Sequence, residues 1–141
     1  MAYWLVNSGT REEPPTGYLP DYYRQWEQLH GPVQKFPATH RPRDMRPGDI
    51  LIHRAVKSPD RIVAVAEVTS VVHPTRNDPR WKWQVERRLL HVCRDLTSAP
   101  VLADIDEGRA KGLRVFKSLT SSHGEHARTL IAAADAPWGG G

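Results

Sequence analysis

A disulfide framework is excluded first, because the 141 residues contain one cysteine, Cys93, and an intramolecular bridge needs two. Nothing in the chain therefore argues for an oxidising compartment. No apolar run approaches the roughly 20 residues of a membrane-spanning helix. The first residues lack a basic segment followed by an apolar one, as a secretory leader would have, so a cytoplasmic location and no membrane partner are expected. No glycine-rich loop suited to cradling phosphates is present. His123-x-x-His126 with Glu125 falls one ligand short of a metal set, and no metal or cofactor is expected. Cys93 stands in an apolar run without a base partner, as an inert core thiol does. Phenylalanine and methionine are scarce, at two each, whereas tryptophan occurs five times. The aromatic weight of the chain thus falls on indoles.

What is present suits one folded domain. The hydrophobic fraction is 39% and the charged fraction 26%, enough apolar surface for one core. The expected organisation is a single domain over 1–136 with a flexible tail at 137–141. The formal net charge is +4, and 15 of the 20 basic residues are arginine. Arginine pairs bidentately with phosphate and stacks on bases, so a polyanionic partner is one reading. Compositional bias toward arginine codons is the other.

The chain opens on Tyr3-Trp4-Leu5-Val6-Asn7-Ser8. Chain ends fray unless something ties them down, so this β-prone run reads as a buried strand over 2–7. Residues 8–20 read as loop, 21–29 as a short helix capped by Asp21, and 32–47 as a polar, proline-punctuated connection. Ile50-Leu51-Ile52-His53, extending to Val56, reads as a strand after the Pro47-Gly48-Asp49 turn. Ile62 to Val72 reads as its hairpin partner, rich in β-branched residues. Between Trp83 and Leu96 the signals conflict. Val85, Leu89, Val92, Cys93 and Leu96 have helical spacing, whereas a strand face is interrupted by Arg87 and His91. Val101-Leu102 reads as a short extended piece, and Val115-Phe116 opens the last unit. Ser122-His123-Gly124-Glu125 is a capping box that predicts a helix over 122–135. The pattern as a whole predicts an α+β domain built on a small, mostly antiparallel sheet.

In this order the motifs resemble the EVE family of the PUA-like superfamily, which also holds YTH, ASCH and PUA domains. The resemblance rests on Tyr3-Trp4-Leu5-Val6 before Asn7-Ser8, on Pro47 to His53, on Ile62 to Val68, on Trp83-Gln84-Val85, and on Ser118-Leu119-Thr120 before the last helix. It implies a pseudo-barrel of about five or six strands with a few flanking helices, and it implies that 83–95 is a strand. It also implies a non-catalytic module that holds one modified nucleobase of DNA or RNA in an aromatic pocket, with a nuclease or restriction-type protein as a candidate partner. Two positions depart from the family pattern. Asn7-Ser8 stands where Lys-Ser is common, and His53-Arg54 stands where an aromatic often follows the Gly-Asp strand.

The residues present can do this chemistry. A base has two π-faces and a hydrogen-bonding edge, and aromatic stacking returns roughly 1–3 kcal/mol per base. Trp4 is a candidate wall, or else an ordinary core residue. Asn7 and Ser8 are candidates for the base edge, or else a strand-ending turn. Trp81 and Trp83 flank Lys82 among Arg76, Arg80, Arg87 and Arg88, a mixture suited to stacking and phosphate contact. His53 and Ser118 complete the candidate pocket, and Arg54, Arg76, Arg80, Lys82 and Lys117 are candidate backbone contacts. Trp26 reads as packing on its helix. The alternative activity is an ASCH-like hydrolase of a modified nucleoside, for which Lys57, Glu67 and Thr69 are present without a clear spacing match. A structural or protein-interaction domain is a third reading.

Overall fold

The computed structural model describes residues 1–8, 32–55, 61–76, 78–93, 99–101, 116–119 and 121–134. The helix expected over 21–29, Trp26, Lys57 and the tail at 137–141 lie outside these residues. Seven strands form one sheet: β1 (Tyr3–Ser8), β2 (Val33–Phe36), β3 (Ile50–Ala55), β4 (Arg61–Val68), β5 (His73–Pro74), β6 (Trp83–Val92) and β7 (Phe116–Leu119). Helix α1 (Ser121–Ala134) follows. The sheet order is β2-β6-β4-β3-β1-β7, with β5 paired to β6 beside this path. The result is a curled, mixed half-barrel sheet with a helix packed on it, an α+β architecture consistent with the one the resemblance implies.

The opening strand is held on both edges. It runs parallel to β3, with Trp4 opposite Leu51, and antiparallel to β7, with Trp4 opposite Ser118. Tyr3, Leu5 and Val6 are buried. The β3–β4 hairpin forms as the sequence predicts, but β4 ends at Val68 rather than Val72. There Val68 N–H donates to the Asp49 carbonyl and Gly48 N–H to the Val68 carbonyl, each at 2.8 Å. Gly48 has φ +92°, a conformation glycine adopts without strain. Thr69 N–H then turns to the Glu86 carbonyl, and Val71 is left 64% exposed.

Residues 83–92 are a strand, as the family resemblance implies, which decides between the two conflicting signals in that stretch. Two further expectations need correction. Residues 33–36, expected in a loop, pair with β6 as a short strand between Pro32 and Pro37. Helix α1 begins at Ser121, one residue before the expected cap, so Ser122 lies inside it. Alternation along the strands sorts the core into two faces. Tyr3 and, through their register, Leu5, Ile50 and Ile52 face α1, whose Gly124, Ala127 and Ile131 are buried. Trp4, Val6, Leu51 and His53 alternate to the opposite face, where β4 contributes the small side chains of Ala64 and Ala66.

Candidate nucleic-acid interface

Trp4 is half-buried and packs against the core. Its indole N–H donates to Asp49 Oδ2 at 2.9 Å. Asp49 is itself 5% exposed, and its carboxylate also accepts the Ala2 N–H (2.9 Å) and the Arg46 N–H (3.0 Å). A carboxylate that accepts backbone donors in this way fixes their geometry strongly. Asp49 therefore sets the tilt of the Trp4 ring and ties it to the loop between β2 and β3. The Gly-Asp turn motif signals a strand start in the sequence, but not this side-chain role.

His53 lies on the same face as Trp4 and is fully buried. Burial, and secondarily the charge of Arg87, push its pKa well below the usual 6.5, so the ring is neutral. A neutral imidazole offers one donor and one acceptor. Arg87 on β6 is also buried, at 2% exposure. The candidate cations thus separate by burial. Arg54 has no exposed surface and sits beside a register shift between His53 and Arg54. From that position it serves the interior, not a phosphate on the open surface, which corrects its assignment as a backbone contact. Arg76, Arg80 and Lys82 are exposed, as a backbone contact requires.

Trp81 and Trp83 form a second aromatic element at the start of β6. Both are half-buried. Trp83 pairs with Phe36 on one edge and Pro74 on the other, and its N–H reaches the Ala38 carbonyl at 3.4 Å. Cations lie over both rings: Arg41 Cζ is 4.5 Å and Lys82 Nζ 5.4 Å from the Trp83 centroid, and Arg80 Cζ is 5.4 Å from that of Trp81. Asp78 organises the approach to this strand. Its Oδ1 accepts the Trp81 N–H at 2.9 Å and the Arg80 N–H at 3.2 Å, and its Oδ2 lies 3.6 Å from Lys35 Nζ. The Trp81 N–H above all, with the Arg80 N–H and Lys35 behind it, holds the Asp78 pKa below its ordinary value against the opposing effect of burial.

The register separates the two aromatic elements within the sheet. Trp4 is level with Leu51, Ala66 and then Leu89. Leu89 lies six residues beyond Trp83, roughly 20 Å at about 3.4 Å per residue. What connects them is the β2–β3 loop, residues 37–49. Arg41 stacks on Trp83 near one end, and Asp49 holds Trp4 at the other. Of the remaining candidates, Asn7 and Ser8 pair through their backbones with Arg54 and Ala55, and Lys117 and Ser118 with Leu5 and Trp4. The side chains of these four lie outside what the structure describes. Glu67, considered for the hydrolase reading, is ion-paired with Arg88 at 3.2 Å on the surface.

No family model matches the sequence, and no curated protein matches it well enough to name. Solved structures do match in fold. The human THYN1 protein, in complex with DNA containing 5-methylcytosine, aligns over 97% of this chain and 100% of its own, with a TM-score of 0.59 and 11% identity. The Mmi1 YTH domain, in complex with RNA, aligns over 94% of this chain and 79% of its own, with a TM-score of 0.62 and 13% identity. A protein from Rhodopseudomonas palustris aligns over 96% and 97%, with a TM-score of 0.60 and 16% identity. At these identities the shared property is the fold.

Proposed function

We propose that this chain is a non-catalytic module that binds a DNA or RNA strand and reads one modified base. The observation that carries this reading is the rim at the start of β6. Arg41, Arg80 and Lys82 lie over the faces of two half-buried indoles, which presents flat π-surfaces and positive charge together. Exposed pairs of this kind suit a polyanion that carries stackable bases. The fold it shares with one structure on 5-methylcytosine DNA and another on RNA supports the same reading.

In this reading Trp4, tilted by Asp49, is the wall against which a base stacks. We assign the reading of its hydrogen-bonding edge to Asn7, Ser8 and Ser118, whose strands flank or carry Trp4. Trp81 and Trp83 take bases several nucleotides along the strand, while Arg76, Arg80, Lys82 and Lys117 hold phosphates. Chemistry on the recognised strand would fall to a nuclease or restriction-type partner.

Calorimetric titration with matched oligonucleotides, plain and base-modified, tests the reading. A modified strand should bind more tightly, and Trp4→Phe or Trp4→Ala with the fold retained should reduce that preference about tenfold, the equivalent of roughly 1.4 kcal/mol of stacking. Equal affinity for every modified and plain strand would sink it.

A further inference from the structure

The β2–β3 loop carries three exposed arginines, Arg41, Arg43 and Arg46, none of which stands out in the sequence. The loop is held in place rather than tethered at its ends alone. Ala38 N–H donates to the Arg80 carbonyl at 3.2 Å, Met45 N–H to that of Pro42 at 3.3 Å, and Asp49 N–H to that of Arg46 at 3.1 Å. Pro42 and Met45 are buried beneath it. With Met45, Val71 and Val72 the three arginines line a groove of about 450 Å³. That lies within the range of roughly 300–1,000 Å³ typical of small-ligand sites, large enough for a nucleotide-sized group.

Among the described residues no ion pair engages Arg41, Arg43 or Arg46. The nearest buried carboxylate, Asp49, turns inward to Trp4, Ala2 and the Arg46 backbone. Asp44, on the loop itself, is exposed. The floor adds an apolar element, since Val71 is 64% exposed beside half-buried Val72. Guanidinium groups around an apolar floor match a phosphodiester strand, with phosphates on the arginines and a sugar or base face on the valines. Arg41 belongs to both the groove and the Trp83 stack, so a strand crossing the Trp81–Trp83 rim runs into the groove.

We infer that this groove is a second nucleic-acid contact, which binds the sugar-phosphate backbone next to the nucleotide whose base is read. The inference rests on the reading of the partner as nucleic acid, and it assigns the backbone path to the β2–β3 loop.

Fluorescence anisotropy with labelled plain and base-modified oligonucleotides, over a range of salt concentrations, tests it with the full chain. Arg43→Gln with Arg46→Gln should weaken binding to every sequence alike and lower the slope of log affinity against log salt by about 1 for each phosphate no longer engaged. Val71→Glu, at an exposed position that folding does not need, should weaken binding in the same uniform way. Arg128→Gln, on helix α1 and outside the groove lining, should leave the slope unchanged. Groove variants with wild-type affinity and slope, on a protein that still prefers the modified strand, would overturn this inference and leave base reading intact. A reduced slope on a protein with no such preference would support the groove and overturn base reading. Poly-glutamate bound as tightly as nucleic acid, with the same weakening in the variants, would make the groove a general anion site and overturn the assignment.

Discussion

Asp49 shows how much one buried side chain can organise. Three donors converge on its carboxylate, from Ala2, Trp4 and Arg46. Replacement by Asn keeps the shape but puts an amide N–H₂ against one of those donors. A buried donor left unsatisfied costs roughly 1–3 kcal/mol, so Asp49→Asn should lower the unfolding free energy by that amount, read as a lower urea midpoint with no change in slope. Trp4→Phe removes the same hydrogen bond from the other side. The two substitutions together should cost at least about 0.5 kcal/mol less than their sum, and strict additivity would show that the bond contributes nothing. His53 makes a separate prediction. The unfolded chain takes up a proton near pH 6.5 that the folded chain refuses, because its buried ring has a pKa well below that value. Stability is therefore full above about pH 6.5 and is lost as pH falls from there toward the folded-state pKa, by up to about 1.4 kcal/mol per pH unit. The lowered pKa of Asp78 acts in a different window, with stability lost as pH falls below the ordinary carboxylate range. His53→Gln should thus flatten the decline between about pH 6.5 and 5. An unchanged profile in that window would assign the decline to other groups.

Strand β6 explains where the sequence could be read and where it could not. Its buried positions run Val85, Arg87, Leu89 and then Val92. The pairing with β4 slips between Val65 and Ala66, so that Leu89 and His91 oppose neighbouring residues and Leu90 is passed over. That bulge turns a spacing of two into a spacing of three, which in the sequence has the look of a helix. Arg87, a charge at a core position, hides the rest of the alternation. The hairpin of β3 and β4 was legible because its apolar residues are dense and its start is marked by Pro47-Gly48-Asp49. Strand β2 was not, because Val33-Gln34-Lys35-Phe36 buries one side chain fully and lies between two prolines. The aromatic candidates were visible as residue types, but the loop that joins them was not, since Asp49 and Arg41 acquire their roles only through contacts distant in sequence. Helix α1 is held against the sheet at Gly124, where a Cβ would overlap the Tyr3 ring. Gly124→Ala gains up to about 1 kcal/mol of helix propensity, yet overpacking costs about 1–3 kcal/mol. We expect a lower melting temperature, whereas in a Tyr3→Ala background, itself destabilised by the loss of a buried ring, Gly124→Ala should cost nothing further; a higher one in the single variant would mean that the helix can shift freely.

At the scale of the whole molecule, the fold closes by joining its beginning to its end. Strand β1 lies between β3 and β7, so the sheet is completed by pairings between segments far apart in the chain. Ala2 reinforces the closure, with its N–H on the Asp49 carboxylate and its carbonyl accepting the Ile50 N–H at 2.8 Å. Removing residues 1–6 would take away Tyr3, Leu5 and Val6 from the core and strip Trp4 from Asp49. It would also leave β3 with an unpaired edge of five buried residues, Ile50 to Arg54, of the kind that templates strand addition by another chain. The arrangement predicts more than a modest loss of stability. The truncated chain should lose its cooperative thermal transition and scatter light at micromolar concentration, while the full chain remains dispersed. Circular dichroism and light scattering on the two proteins side by side decide the matter. A truncated chain that stays monomeric and melts within a few degrees of the full one would show that β1 only covers the sheet, and that Trp4 can be removed without disturbing the frame on which the arginine loop is mounted.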